Sequence, residues 1–276
     1  MFGLFKVLST LPLWALHCLG WMLGWLTFLA SPTYRRRFLA HAAQARIPKA
    51  RQWAAVGESG KLIAELPRLW MGAPVPAAWQ DGGVVKQALQ SGKGVLFLTP
   101  HLGCFEVAAQ AYARDYGHSH PMTVLFRPAR KAWLTDIVAG SRARPGMSSA
   151  PTAMSGVKQL VRALKQGNCV GMLPDQVPPS GQGLWMPFFG RDAYTMTLSA
   201  RLAQQTGATV LLAWGERLSW GRGYVVHIEP MPEALATDLA AATLQINQAM
   251  EQLVLRGAGQ YLWGYDRYKQ PREDKQ

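Results

Sequence analysis

GVLFLTPHLGCFE, residues 94–106, joins an apolar strand to a helix through a turn that carries a histidine. Val95–Leu98 is a continuous apolar run, which is typical of a buried strand. A helix-like stretch follows from Phe105 to Tyr116. His101 therefore lies where a buried strand ends, and this is a suitable place for a base that takes a proton from a hydroxyl.

The same alternation of strand and helix continues along the chain. Further strands are predicted at Met122–Phe126, Cys169–Leu173, Thr209–Trp214 and Tyr224–Ile228. Further helices are predicted at Ala50–Trp70, Ala132–Ala139, Ser155–Lys165, Thr197–Thr206 and Ala240–Leu255. Pro67 is expected to kink or end the first of these helices. Such alternation predicts an α/β fold with a mixed central sheet flanked by helices.

Hydrophobic content, net charge and cysteine spacing restrict the kind of protein that this chain can form. The chain has 276 residues, of which 49% are hydrophobic, enough for one sizeable core. Its formal net charge of +13 favours acidic partners, namely anionic lipid, an acidic carrier protein or nucleic acid. The three cysteines are scattered and form no C-x-x-C pair, which argues against a disulfide framework or a cysteine zinc site. We expect neither a metal ion nor a cofactor.

The N-terminal segment predicts a membrane-anchor helix. No charged side chain lies between Lys6 and Arg35, and Leu8–Ala30 is long enough to cross a bilayer, which takes about 20 apolar residues. Three arginines at 35–37 follow at once, whereas only Lys6 precedes the apolar stretch. This asymmetry predicts that the rest of the chain is cytoplasmic. The chain is thus divided into an anchor at 1–34 and an α/β domain at 35–276.

The N-terminal segment is compatible with two alternatives to a spanning helix. The helix could lie in the plane of the membrane interface, since Ser9, Thr10, His17 and several glycines reduce its hydrophobicity. A signal peptide would need a more basic start and a small-x-small cleavage site, which residues 28–30 do not provide. Both membrane interpretations put the body of the protein against the bilayer.

Glu106 follows His101 by five positions. Pro100 and Gly103 disfavour a continuous helix from the histidine, so a helix is expected to begin near Gly103–Phe105. Glu106 would then lie in the first helical turn, where a carboxylate suits the dipole, and could reach back to the ring. A hydrogen bond to one ring nitrogen would fix the tautomer while the other nitrogen accepts a proton. A helix-capping histidine and an ordinary first-turn acid remain an equally open interpretation.

Two more predicted strands end in polar residues. Ligands of open α/β sheets bind beyond the carboxyl ends of the strands, where Arg127 and Asp175 both lie. An arginine fork suits phosphate or carboxylate groups. Arg130 and Lys131 are better explained as a solvated loop. The candidate substrate-binding residues are Arg127, Arg142, Arg144, Asp175 and Gln176.

Several blocks together carry a family resemblance. The segment from His101 to Glu106 is similar to an H-x-G-N-W-E motif, with Cys104 and Phe105 in place of Asn and Trp. The other blocks are the N-terminal hydrophobic segment, Phe126-Arg127-Pro128, Leu173-Pro174-Asp175-Gln176, Pro187-Phe188-Phe189-Gly190 and Gln260-Tyr261-Leu262-Trp263. In this order and spacing, which cover nearly the whole chain, they resemble the bacterial lipid A biosynthesis acyltransferases. These are the late lauroyl and myristoyl transferases, within the lysophospholipid acyltransferase superfamily.

The resemblance implies acyl transfer from an acyl-acyl-carrier-protein thioester to a hydroxyl of a lipid A precursor. The reaction would take place at the cytoplasmic face of the bacterial inner membrane, with His101 as general base and Glu106 orienting and stabilising it. Backbone amides near Gly103, or Arg127, would stabilise the oxyanion. No nucleic acid partner is implied.

The sequence leaves the acyl donor, the acceptor and catalysis itself open. Coenzyme A could replace the carrier protein as the donor. The acceptor could be a glycerophospholipid or another membrane lipid, and the chain could also be a non-catalytic protein that binds the membrane surface.

Overall fold

The chain folds as an α/β protein in the computed structural model, which describes residues 2–126 and 144–273. Ten α-helices lie in this part of the chain: α1 (Phe2–Thr10), α2 (Leu13–Ala30), α3 (Pro32–Gln44), α4 (Lys49–Ala64), α5 (Leu66–Met71), α6 (Gly83–Gln90), α7 (Phe105–Asp115), α8 (Met154–Lys165), α9 (Leu198–Thr206) and α10 (Leu239–Arg256). The strands described are β1 (Ala77–Gln80), β2 (Val95–Leu98), β3 (Met122–Phe126), β4 (Met147–Pro151), β5 (Cys169–Met172), β6 (Gly183–Phe188), β7 (Arg191–Met196), β8 (Thr209–Arg217) and β9 (Tyr224–Pro230). The predicted fold class is confirmed.

The strands form a seven-stranded sheet and a separate β6–β7 hairpin. The order in the sheet is β1-β9-β8-β2-β5-β3-β4. β8, β2, β5, β3 and β4 are mutually parallel, whereas β9 pairs antiparallel with β8 and parallel with β1. The carboxyl ends of the five parallel strands therefore meet at one edge. Because β2 and β5 are hydrogen-bonded neighbours, the residues that follow them are brought side by side.

β2 is central because both of its faces are apolar. Successive strand residues point to opposite faces, so Val95 and Phe97 pack on the side of α6 and α7. Leu96 and Leu98 pack on the other side, in the main core with α8, α9 and α10. This burial on both faces explains why the sequence shows a continuous apolar run and no alternation.

The structure contains elements that the sequence pattern did not predict. β1 and β4 are the outermost strands of the sheet, and residues such as Ser148 and Ser149 interrupt the apolar pattern of a buried strand. The helix expected over 50–70 breaks at Glu65, because Pro67 cannot continue the α4 hydrogen-bond ladder and lies in the first turn of α5. The predicted helix Ala132–Ala139 lies outside the described residues.

α2 is, by length and composition, apolar enough to cross a membrane, and 33% of it is buried inside the protein. It packs antiparallel on α4 in direct backbone contact. A Cβ on Gly24 would lie 2.3 Å from the Val56 carbonyl oxygen, and one on Gly60 would lie 1.9 Å from the Gly20 carbonyl oxygen. Small residues at these positions allow the two helices to approach closely.

Candidate functional site

His101 lies just beyond β2 and contacts the loop that follows β5. Its Nδ1 is 2.7 Å from Oδ1 of Asp175, and its backbone N–H donates to Oδ2 of the same carboxylate at 2.9 Å. The second ring nitrogen, Nε2, is 2.9 Å from Nε2 of Gln176. A proton on Nδ1 suits the carboxylate, and Nε2 then accepts a hydrogen bond from the Gln176 amide. The ring is thus held with its lone pair on Nε2.

Asp175 is a buried carboxylate, only 2% exposed. The hydroxyl of Tyr261 donates to its Oδ2 at 3.2 Å, in addition to the two donors of His101. Burial by itself raises the pKa of Asp175, but the charge and hydrogen bonds of His101 outweigh it and hold the pKa below its usual range. Asp175 therefore stays ionised beside the imidazole at neutral pH. The sequence signalled Tyr261 only as part of a matching block.

The carboxylate that contacts the His101 ring differs from the one expected. Glu106 lies in the first turn of α7, as predicted, and is buried. However, Asp175 and Gln176 engage the two ring nitrogens, so the predicted hydrogen-bond partner of the ring is corrected from Glu106 to Asp175. The physical reason is sheet order: the turn after β5 adjoins the turn after β2, whereas Glu106 points into a pocket beneath α7.

Of the predicted anion-binding arginines, Arg144 lies in the part of the chain that the structure describes, and Arg127 and Arg142 lie outside it. Arg144 donates a hydrogen bond to the Leu69 carbonyl of α5. Burial lowers the pKa of Arg144, and the charge of Glu106 acts in the opposite direction. Arg144 and Glu106 therefore lie close enough for their charges to interact.

The amides of the His101 turn are engaged within the protein. The N–H of Gly103 donates to the Gln260 carbonyl at 3.0 Å, and that of Cys104 donates to the Gly215 carbonyl at 2.7 Å. Gly103 has a φ of +57°, and a Cβ there would lie 2.0 Å from the Gly215 oxygen, so the position requires glycine. Contrary to the sequence-based expectation, these two amides are not free to stabilise an oxyanion.

An apolar pocket lies between α7 and the sheet, next to the turn that carries the histidine. The space between its wall atoms totals about 650 Å³ when open solvent is included, whereas its cavity volume is about 60 Å³. The rings of His101 and Phe105 have centroids 5.1 Å apart, and Phe105 and Glu106 line the pocket. Its other walls include Ala109 of α7 and Ala213 of β8, together with larger apolar side chains of β2, β3 and β9. Among residues 2–126 and 144–273, no group of three His, Cys, Asp or Glu side chains could hold a metal ion.

A second polar cluster lies behind the His101 turn. Glu65, between α4 and α5, is completely buried and accepts hydrogen bonds from Arg217 at 2.5 and 2.8 Å. The Tyr224 hydroxyl donates to it at 2.8 Å, and Nε2 of His17 lies at 3.2 Å. Burial alone raises the pKa of Glu65, but the charge and hydrogen bonds of Arg217 and His17 outweigh it and lower the pKa to about 2. Sequence reasoning missed this cluster because its members come from separate segments.

Acid is expected to weaken the fold through Glu65. Its folded pKa of about 2 lies below the ordinary value of 4.5, so its stabilisation is complete above about pH 4.5 and is lost as the pH falls towards 2. The free energy of unfolding, measured by urea titration, should fall across this window by an amount on the order of 3 kcal/mol through this group. Glu65→Gln should be less stable at neutral pH and should show a shallower decline. Equal declines in the two proteins would contradict the assignment.

Comparison with known proteins identifies the family. A family model described as bacterial lipid A biosynthesis acyltransferase matches residues 58–270. The chain is 27% identical over 186 residues to a lipid A biosynthesis palmitoleoyltransferase of Escherichia coli strain K12, an alignment that covers 67% of this chain and 59% of the relative. A lipid A biosynthesis acyltransferase of Shigella flexneri matches with the same identity and coverage.

A lipid A biosynthesis lauroyltransferase of E. coli strain K12 is 25% identical over 178 residues, which cover 64% of this chain and 55% of the relative. The matches therefore extend over less than two thirds of the length of these relatives. The family model, in contrast, matches well over half of the chain. The chain belongs to the bacterial lipid A biosynthesis acyltransferase family.

Proposed function

We propose that this chain transfers a fatty acyl group from an acyl-carrier-protein thioester to a hydroxyl of a lipid A precursor, at the cytoplasmic face of the inner membrane. One observation carries the proposal: a histidine with an ionised carboxylate on Nδ1 and a lone pair on Nε2 lies beside an apolar pocket. This combination suits a hydroxyl nucleophile and a hydrocarbon chain together. Family membership and the names of the relatives support the reaction class and the acceptor.

His101 acts as the general base in the proposed reaction. The acceptor hydroxyl replaces the Gln176 amide at Nε2 and gives its proton to that nitrogen as its oxygen attacks the thioester carbonyl carbon. Asp175 stabilises the imidazolium that forms. The tetrahedral oxyanion collapses, the C–S bond breaks, and the imidazolium returns the proton to the departing thiolate. The acyl group thus passes directly from sulfur to oxygen.

Glu106 contributes a second negative charge near the reacting groups. It lines the pocket together with Phe105, whose ring lies against that of His101, and in the proposed reaction it helps to stabilise the positive charge that forms on that ring. The acceptor phosphates would be bound by guanidinium groups, which pair with phosphate through two parallel hydrogen bonds. The arginines proposed for this task are Arg127, Arg142 and Arg144.

The apolar pocket is proposed to hold the fatty acyl chain. Phe105, whose ring lies against that of His101, lines this pocket, and other walls are side chains of the sheet, so a chain with its thioester near Nε2 could extend beneath α7. The small side chains of Ala109 and Ala213 keep this space open. Filling it would therefore limit the length of chain accepted.

Ala109→Phe is expected to shift the donor preference towards shorter acyl chains. Ala109 is only partly buried on α7, so the larger ring can enter the pocket without breaking the main core. Transfer from the longest accepted donor should fall by at least about tenfold, the lower end of the cost of excluding one methylene, while the shortest donor is affected little. Initial rates with a series of acyl-carrier-protein donors measure this. Ala241→Phe, at an exposed position of α10, is the matched control, and a uniform loss across all donors would contradict the pocket assignment.

The N-terminal helices are proposed to lie in the membrane interface. α2 exposes a row of large apolar side chains: Trp14, Trp21, Met22, Leu23, Leu26 and Leu29. If α2 crossed the bilayer, the closely packed α4 would enter the hydrocarbon with it, together with Glu58 and Lys61. Charges at that depth are costly. An in-plane helix instead buries the apolar row in one leaflet and leaves the basic residues at 35–37 near anionic headgroups.

Leu26→Asp/Leu29→Asp is expected to weaken binding to vesicles that contain anionic phospholipid by at least about tenfold, because each aspartate must enter the apolar interface. Both leucines are 63% exposed, so the fold should be preserved. Sedimentation of the purified chain with vesicles measures the effect. The matched control is Met154→Asp/Leu255→Asp, which introduces the same charges at exposed apolar positions of α8 and α10. Equal weakening in the two double variants would exclude the proposed surface.

The substrate proposal is tested with the purified full chain. Acyl-carrier-protein and acyl-coenzyme A are supplied as donors, and a lipid A precursor or a glycerophosphate lipid as acceptors. Transfer from the carrier-protein donor to the lipid A precursor is expected. Transfer to the glycerophosphate lipid alone would replace the proposed acceptor, and vesicle binding without transfer to either acceptor would favour a non-catalytic membrane-binding protein.

A further inference from the structure

A fully buried ion pair supports the turn that carries His101. Arg217, at the end of β8, has a side chain that is 1% exposed, and the side chain of Glu65 is 0% exposed. The guanidinium also reaches Glu58, with Nη1 2.6 Å from its Oε2. Nζ of Lys61 lies 2.5 Å from Oε1 of Glu58. The positive charges of Arg217 and Lys61 therefore balance the negative charges of Glu65 and Glu58.

The same guanidinium contacts the backbone of the catalytic turn. Nη2 of Arg217 donates to the Gly103 carbonyl at 3.2 Å, two residues after the histidine. Gln260 binds the backbone of Arg217 through both ends of its amide, each at 2.9 Å, and its own carbonyl accepts the Gly103 N–H. The turn is therefore held on its carbonyl side by Arg217 and on its amide side by Gln260.

Stability alone is a poor explanation for such a pair. Desolvating two buried charges is costly, and apolar side chains of similar shape often replace a buried ion pair without loss of stability. An apolar side chain, however, cannot donate a hydrogen bond to the Gly103 carbonyl. The property that distinguishes Arg217 from an apolar substitute is thus the hydrogen bond that it donates to the turn.

We propose that Arg217 and Glu65 are positioning residues for His101: the Glu65 carboxylate fixes the Arg217 guanidinium, which holds the Gly103 carbonyl and with it the turn that orients the imidazole. The proposal rests on the function proposed above. It assigns to this pair an effect on turnover that is separate from substrate binding, since neither residue lines the pocket.

The test uses the double variant Glu65→Gln/Arg217→Met in the full chain. The two substitutions remove one positive and one negative charge together, and the glutamine oxygen can still accept from Tyr224 and His17. A positioning role predicts a cooperatively unfolding protein whose kcat is lower by roughly tenfold or more, since small displacements of a catalytic group are costly. The KM values for donor and acceptor should remain within about twofold of wild type, because the substrate contacts are intact. A kcat within about twofold of wild type in the folded double variant would overturn the proposal.

Two further variants serve as a matched control and as a replacement in case the double variant does not fold. Glu229→Gln/Arg256→Met makes the same changes in an exposed ion pair away from the turn and should leave kcat unchanged. If the buried double variant does not fold, Arg217→Lys keeps a positive charge beside Glu65 but lacks the fork that binds the carboxylate and the Gly103 carbonyl together. The same loss of kcat at unchanged KM is expected for it, and unchanged kcat would equally overturn the proposal.

The failure of this inference is distinguishable from failure of the proposed function. If wild-type protein transfers no acyl group to any acceptor, the proposed function is wrong. If wild-type protein is active and the buried variants are equally active, the function stands and the positioning role is wrong.

Discussion

His101→Ala is expected to reduce acyl transfer about a thousandfold, within the range attributed to a positioned general base. The imidazole is the only proton acceptor that we assign to the acceptor hydroxyl. Its Nε2 lone pair is made available by the Asp175 contact on Nδ1. The loss should appear in kcat, since the variant retains the pocket that is proposed to bind the acyl chain. Initial-rate kinetics of the purified chain, with radiolabelled acyl-carrier-protein as donor, measure it.

His118→Ala provides the matched control, because His118 is exposed on the turn after α7 and is given no role in the reaction. Thermal unfolding of both variants checks that the fold is retained. A His101→Ala protein that is folded and keeps more than about a tenth of wild-type activity would exclude general-base catalysis by this residue.

Asp175→Asn is expected to lower kcat by about a hundredfold or more, because an amide cannot replace the carboxylate in either of its two tasks. The Asp175 oxygens accept both the ring N–H and the backbone N–H of His101. An asparagine has one acceptor oxygen, and its NH2 group would face a donor on the other side. The ring would then lose its orientation, and the imidazolium would lose its ionised partner.

The control for this variant is Asp192→Asn, an exposed position of β7. The experiment also separates Asp175, the carboxylate that contacts the ring, from Glu106, the carboxylate that the sequence pattern predicted for this role. If Asp175→Asn retains wild-type kcat while Glu106→Gln does not, the Asp175 carboxylate is not required for turnover. Glu106 is then the carboxylate that supports the histidine.

Local patterns in the sequence were sufficient for the framework of the site. The apolar run at Val95–Leu98, the turn with His101 and the start of α7 with Glu106 are consecutive, so strand burial and helix-start signals predicted all three correctly. The strand before Asp175 was predicted by the same signal. β1 and β4 were missed because an edge strand needs no continuous apolar face.

The contacts within the site depend on strand order and helix packing, and the spacing of residues along the chain does not predict them. From spacing alone, Glu106 was the nearest carboxylate to His101, five positions away, whereas Asp175 is 74 positions away. Asp175 becomes the neighbour because β2 and β5 are adjacent and parallel. The ion pair between Glu65 and Arg217, 152 positions apart, similarly depends on how α4 packs against the end of β8.

The order of amino acids was thus enough to define the strands and the helix that carry the site, the histidine at a strand end and the family, because these depend on neighbours within a few turns or on linear motifs. Which carboxylate holds the imidazole, which amides are already engaged and which buried guanidinium supports the turn were decided only by the tertiary structure. The physical reason is that hydrogen bonds act over about 3 Å, and only strand order and helix packing bring distant residues within that distance.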